Sequence, residues 1–415
     1  MGNKALVFLF IGIFLLWFCL PFLSIFLMLF LVLKINFSDK ALYFFSLLIA
    51  LSFGFLGYTT HSINSVDTDV MRYMEGYMDL SRVKSFSDFI SIGFLEGDYN
   101  FLFRLINYSL TFIFPKNAHL LPFFWATFVY FVSFLTIIEM CKEKSTKIRK
   151  ERIFVGFFCA IVAFIMFHQA VESIKQYSSV SVMGYAIMLK IVNKDKMTKK
   201  VLILAIVSIL IHFSSFLLLP ILLFYNANFV KRYFWLIFLF CLSVSFININ
   251  QFFLNILGSI GGNVGIIYKL GEYANYSAWT LGRLYILNLV VYGLTFFVLY
   301  YYRKSSDLNS ITYVHFLALC FLLINRSNTL NFVRYTICFY PFWISIFLSL
   351  FKIKTDKLFQ SAIIICFFFF HLYSHIIYTG NAINMELNGY TNAFMDNSIF
   401  KILTTSVYGY ANYWN

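Results

Sequence analysis

The segment Ser65-Val-Asp-Thr-Asp-Val-Met-Arg-Tyr-Met-Glu-Gly-Tyr-Met-Asp79 is the densest set of reactive side chains in an otherwise apolar sequence. On a helix beginning near Thr68, Asp69, Arg72 and Tyr73 fall at steps of three and four and share a face. Gly76 or Tyr77 comes next along that face, and Asp67 stands just ahead of it. An acid, an arginine and aromatic rings converge there, although the same spacing also describes a solvated helix with a local ion pair. Elsewhere His212 lies inside an apolar run, where an imidazole needs a partner, and His371 and His375 lie four apart. No Glu follows the first of these as a zinc-protease helix requires, so packing is the expectation and no metal is assigned. The seven cysteines are scattered singly, without the close pairs of a zinc or redox motif.

The elements that position these groups must be membrane helices. The chain is 61% hydrophobic and 12% charged over 415 residues, where a soluble domain carries about 25% charged residues. Apolar runs at 5–33, 41–58, 120–140, 153–171, 177–192, 233–249, 283–302, 311–325, 335–351 and 358–379 read as spans. The predicted fold is an all-α polytopic bundle of about 10 or 11 spans forming one integral membrane domain. The run 5–33 is expected to be a retained first helix, too long for a signal-peptide core. The run 201–225, with His212, Ser214 and Ser215 at its middle and Pro220 beyond, is expected to cross or to form a re-entrant hairpin. Residues 98–114, interrupted by Arg104 and Asn107, suit an amphipathic helix in the interface.

Charge placement sets the predicted topology. A net charge of +14 would suggest nucleic acid in a soluble protein, but here its distribution across the loops matters more, and no nucleic-acid partner is expected. With an outer N-terminus and 201–225 as a hairpin, the loops 34–40, 141–152, 190–200, 226–232, 303–310 and 352–357 are cytoplasmic. They hold 20 of the 32 Lys and Arg but 6 of the 18 Asp and Glu. Residues 59–119, 250–282 and 380–415 then face the other side, expected to be the periplasmic face of a bacterial inner membrane.

The Asp-x-Asp-x-x-x-Arg-Tyr-x-x-x-Tyr arrangement of Asp67 to Tyr77, just after the second apolar run, resembles the signature of EpsG-like, Wzy-type polysaccharide polymerases. Later segments agree in order. Val171-Glu-Ser-Ile-Lys-Gln-Tyr177 resembles the family's Arg-Gln element, with Lys175 where arginine is usual and Gln176 following. Leu210-Ile-His-Phe-Ser-Ser-Phe216 resembles its His-x-Ser element, and Asn331-Phe-Val-Arg-Tyr335 its late arginine. The resemblance implies transfer of a growing glycan from its polyprenyl-pyrophosphate carrier onto the next lipid-linked repeat unit at the outer face. It implies as partners the lipid-linked oligosaccharide, membrane lipids, and a chain-length regulator and flippase of the same pathway. The sugar–pyrophosphate bond supplies the energy, so no cofactor is expected, in keeping with a sequence lacking a phosphate-binding Gly-x-x-x-x-Gly-Lys loop.

That chemistry selects residues. A departing pyrophosphate develops negative charge, which guanidinium groups stabilise bidentately. The outer-face cations are Arg72, Arg104, Arg283, Arg326 and Arg334, with Lys175; of these Arg72 and Arg334 match family positions and are assigned to catalysis. The acceptor hydroxyl needs a base, for which Asp67, Asp69, Glu75, Glu172 and His212 come into question. Tyr73, Tyr77, Arg104, Glu172, Lys175, Gln176, Arg283, Arg326 and Asp67 are expected to bind substrate. A flippase for the same unit and a ligase moving finished polymer to lipid are the competing functions. Against the first, no hydropathy symmetry between halves is visible.

Overall fold

The computed structural model describes residues 3–59, 69–95, 100–115, 117–142, 146–247, 251–252, 254–256, 279–304, 306–384 and 398–400. All regular structure among them is helical. In chain order the helices are α1 Asn3–Cys19, α2 Pro21–Lys34, α3 Asp39–Tyr58, α4 Asp69–Leu80, α5 Phe86–Leu95, α6 Phe101–Ile113 and α7 Leu120–Met140. They continue with α8 Thr146–Cys159, α9 Phe167–Glu172, α10 Ile174–Val192, α11 Lys199–Ile211, α12 Leu219–Phe224, α13 Asn228–Arg232 and α14 Phe234–Val244. The last five are α15 Trp279–Tyr302, α16 Ser306–Asn325, α17 Thr329–Cys338, α18 Tyr340–Leu350 and α19 Lys357–Asn384.

Among the described residues, four helical stretches are long and apolar enough to cross a membrane: Asp39–Tyr58, Leu120–Met140, Leu308–Asn325 and Lys357–Ile377. A fifth span is assembled from Phe332–Cys338 and Tyr340–Leu350, bent by 54° where Pro341 enters the second helix. The other apolar stretches among the described side chains run from 10 to 17 residues. α3 and α7 pack closely: a Cβ on Gly54 would meet the Thr127 hydroxyl at 2.0 Å, and one on Gly57 the Pro122 carbonyl at 2.8 Å. Small residues at such a crossing let two backbones approach where lipid gives no hydrophobic drive.

The run 5–33 is two antiparallel legs rather than one helix. Phe10 packs on Phe37 and Phe45, and Trp17 donates to Ser52 at 2.9 Å, so α1 runs parallel to α3 while α2 returns antiparallel to it. Pro21, which has no N–H to continue α1, starts α2. α1 therefore begins at the same end as Asp39, which corrects the expectation of a first helix entering from the outer side. The span expected at 153–171 also changes character. α8 passes into a π-helical turn, Ala160–Phe164, the chain extends at Ile165, and α9 begins a connection that leads to α10.

Residues 199–226 form a hairpin. α11 ends at His212, a 3-10 turn, Phe213–Leu218, reverses the chain, and α12 returns, with Pro220 harmless in its first turn. The return leg closes on the loop from which the first departed: Lys190 donates to the Leu222 carbonyl at 2.7 Å, and Tyr225 and Asn226 donate to Asp195 at 2.6 and 2.8 Å.

Loops expected to be cytoplasmic meet at one end of the bundle. Arg149 bonds Asp39, Lys150 donates to the Lys34 carbonyl, Arg152 to the Phe351 carbonyl, and Ser310 to Asp195. Below, this is the basic end. At the opposite end α4, α5 and α6 form a cap with a small core of its own, in which Leu80, Phe89 and Tyr108 are buried and the last two rings stack at 4.6 Å.

Candidate functional site

α4 buries Val70, Met74 and Tyr77 against the bundle, an i, i+4, i+7 stripe that fixes how the helix is turned. The flank beside that stripe presents Arg72, Tyr73 and Gly76 to a cavity of about 190 Å³ at the end opposite the basic loops. α6 supplies Phe103, Arg104 and Asn107, and α10 supplies Lys175. Of the face read from the sequence, Arg72, Tyr73, Gly76 and Tyr77 line the cavity and Asp69 does not.

Three cations reach this space. Arg72 is held by Asp69, one turn back, at 2.5 Å, and its side chain is 62% exposed. Arg104 is 8% exposed; its guanidinium lies 4.9 Å from the Phe89 ring and donates to the Phe89 carbonyl at 3.2 Å. No carboxylate among the described residues lies within ion-pair distance of it. Lys175 places its ammonium 5.1 Å from the Tyr73 ring and 5.0 Å from the Phe103 ring. Phe103 in turn stacks on Trp125 at 4.9 Å, so a ladder of rings from α4, α6 and α7 backs the lysine. Such ring faces attract a cation through their quadrupole.

The polar floor is equally built. Asn107 is buried and its Oδ1 accepts the Trp125 indole N–H at 3.0 Å. Tyr77 donates its hydroxyl to the Phe114 carbonyl at 3.1 Å, and burial raises its pKa to about 12, so it is a neutral donor and not a base. Gly76 has nothing within 4 Å of where a Cβ would stand, so its missing side chain leaves the cavity open.

Glu172 lies beside this group, in the connection between the π-turned leg and α10. Burial raises its pKa to about 7; Asp69 adds to the rise and Arg72 opposes it, which places the carboxyl in the electrostatic range of α4. Its oxygen is 4.0 Å from His168 Nε2, and burial lowers that imidazole to about 4. Near neutral pH the imidazole is uncharged and the carboxyl close to half protonated, so the contact is not a salt bridge.

The other candidates lie elsewhere. Gln176 is half-buried on α10 and does not line the cavity. Arg326 sits 5.3 Å from the Phe246 ring, and half-buried Arg334 lies on α17, which packs beside α10; neither lines the cavity. His212 is the hairpin apex, where its Nδ1 accepts the Ser214 N–H at 3.2 Å while the Phe213 N–H bonds Asn100 at the start of α6. That is a capping geometry and does not bring the imidazole into the cavity lining. Asp67 and the Arg283 side chain lie outside the described residues. His371 accepts or donates with Tyr292 at 3.2 Å and donates from Nδ1 to the Phe367 carbonyl at 2.8 Å, a packed position inside the bundle. Sequence reasoning missed Phe103, Asn107, Trp125 and His168. The repeated aromatics of 101–125 hinted at Phe103 and Trp125, and Asn107 was seen only as a break in an apolar run.

The family model of the EpsG family matches residues 42–392. The chain belongs to the EpsG family. The match spans α4, α5, α6 and α10, and thus every helix that lines the cavity. No curated protein and no solved structure matches the chain. Family membership with an all-helical, multiply spanning architecture supports a membrane polysaccharide polymerase of glycosyltransferase type in the broad sense.

Proposed function

We propose that this EpsG-family chain polymerises a surface polysaccharide by transferring the growing glycan from a polyprenyl-pyrophosphate carrier onto the next lipid-linked repeat unit. The observation that carries this reading is the convergence of Arg72, Arg104 and Lys175 on one ring-lined cavity between α4, α6 and α10. An acceptor hydroxyl attacks the anomeric carbon, the carbon–oxygen bond to pyrophosphate breaks, and the carrier leaves as polyprenyl pyrophosphate. Negative charge grows on the leaving oxygens, where fixed cations act most strongly. Arg104, already desolvated and without a carboxylate among the described residues, is preorganised for it. Tyr73 and Phe103 offer ring faces to sugars. Glu172, with its pKa near 7, suits the transient uptake of the hydroxyl proton, and Asp69 orients Arg72.

The basic end is cytoplasmic and the cavity faces the periplasm of a bacterial inner membrane, following the rule that Lys and Arg stay inside. Arg334 on neighbouring α17 and Arg326 in the turn before it guide the carrier. Deleting the gene and running surface polysaccharide on a gel tests the function. Single repeat units on the lipid core are expected. Complete loss of surface sugar indicates a flippase, and polymer retained on the carrier lipid indicates a ligase.

A further inference from the structure

At the basic end a second cavity, of about 490 Å³, opens between the ends of α7, α10 and α18 and the start of α16. It lies at the far end of α7 from Trp125, a helix about 30 Å long at 1.5 Å per residue, and takes no part in the chemistry above. Three lysines, Lys142, Lys194 and Lys352, face two carboxylates, Glu139 and Asp195. Both carboxylates are already engaged. Glu139 accepts from Lys142 at 2.7 Å and from Tyr43 at 3.4 Å. Asp195 accepts from Tyr225, Asn226 and Ser310 at 2.6 to 2.8 Å. Exposed Lys194 and half-buried Lys352 are left without a carboxylate in ion-pair distance among the described residues.

The backbone is bent to make this arrangement. Lys194 and Asp195 are the two described non-glycine residues with positive φ, 55° and 62°. Left-handed conformations are unfavourable for a side chain such as lysine, and two in succession persist only where the surroundings hold them. Here the three donors to Asp195 hold the turn, and the turn carries Lys194 to the cavity rim.

We propose that this cavity binds a phosphate group, with Lys194 and Lys352 as its ligands and the Asp195 turn as the device that positions them. Phosphate chemistry follows from two ammonium groups on one cavity, neither with a carboxylate in ion-pair distance among the described residues, in a space too large for a lone ion. The group has two sources, a soluble phosphate compound or the headgroup of an anionic lipid in the adjoining leaflet. The full-length chain in neutral-lipid nanodiscs is titrated with inorganic pyrophosphate, and a second set of nanodiscs carries phosphatidylglycerol. Thermal unfolding is followed in both, since a ligand that binds only the folded chain stabilises it with concentration. A shift in Tm retained in Arg72→Ala, lost in the Lys194→Gln/Lys352→Gln pair and kept in the Lys→Arg pair is expected. Its appearance with pyrophosphate identifies a soluble ligand, and its appearance with phosphatidylglycerol a lipid headgroup. Should the glutamine pair fold poorly, Lys194→Glu on the exposed rim serves in its place and loses the shift likewise. No shift in either arm, or a shift indifferent to these lysines, overturns the proposal. Dependence on Lys194 and Lys352, which do not line the other cavity, keeps this result separate from pyrophosphate binding there.

Discussion

Replacing Arg72 with alanine separates folding from chemistry. The side chain is 62% exposed and its partner Asp69 lies one turn back on the same helix, so the structure gives it little to do for stability. Exposed pairs at this spacing contribute about 0.3–0.5 kcal/mol, and α4 keeps its buried Val70, Met74 and Tyr77. Unfolding free energy should therefore fall by less than about 1 kcal/mol. Catalysis should fall far more, because a preorganised donor to a developing oxyanion is worth about 2.7–4 kcal/mol, or 10²–10³ in rate. Lysine at 72 restores charge without the guanidinium fork and recovers part of that loss. The assay pairs release of polyprenyl pyrophosphate in proteoliposomes with thermal unfolding of the same preparation. Polymerisation by Arg72→Ala within about threefold of the parent, a difference under about 0.7 kcal/mol, would refute the assignment. A loss of activity that merely tracks a loss of folded protein refutes it equally.

Gly76→Ala should fold at least as well as the parent, since a Cβ there meets nothing within 4 Å and alanine gains about 1 kcal/mol over glycine inside a helix. Gly76→Phe should fill the cavity and abolish polymer at unchanged protein level; a gel showing normal polymer from it removes the cavity from the mechanism. Glu172 has a pKa of about 7 in the folded chain against 4.5 as its ordinary value, so the folded state holds the extra proton between them. Stability from this group is full below pH 4.5 and is lost as pH rises through about 7. The difference in Tm between the parent and Glu172→Gln should shift across that window, and a constant difference from pH 4.5 to 8 contradicts the burial argument. Single cysteines at exposed Ser87 and exposed Met197, in a background without native cysteines, report sidedness. An impermeant thiol reagent should label 87 and spare 197 in intact cells, and the reverse pattern inverts the topology.

What was legible in the sequence was what local spacing controls. The helix beginning at Asp69 and its stripe of Arg72, Tyr73, Gly76 and Tyr77 follow from three- and four-residue steps. The clustering of basic loops follows from charge asymmetry, while the polar residues in mid-run marked 201–225 as irregular and left crossing and hairpin both open. Three things were not legible. Pro21 was passed over because the apolar run continues through it, although a missing N–H ends a helix whatever the hydropathy. Phe103, Asn107 and Trp125 meet Lys175 only through packing of α4, α6, α7 and α10, a relation no single window contains. His212 drew notice as an imidazole in an apolar run, and its partner proved to be the turn it caps, Ser214 two residues on. A buried polar group needs a partner, but spacing does not say whether that partner is substrate or backbone.

The proposed reaction is transfer of a glycan from a lipid pyrophosphate at the cavity between α4, α6 and α10. It is tested most directly by purified chain in liposomes with a synthetic polyprenyl-pyrophosphate-linked repeat unit and no nucleotide. A ladder of lengthening products, one polyprenyl pyrophosphate released per unit joined, and loss of both in Arg104→Ala are expected. No ladder without a nucleotide sugar, or a ladder unchanged in Arg104→Ala, would contradict it.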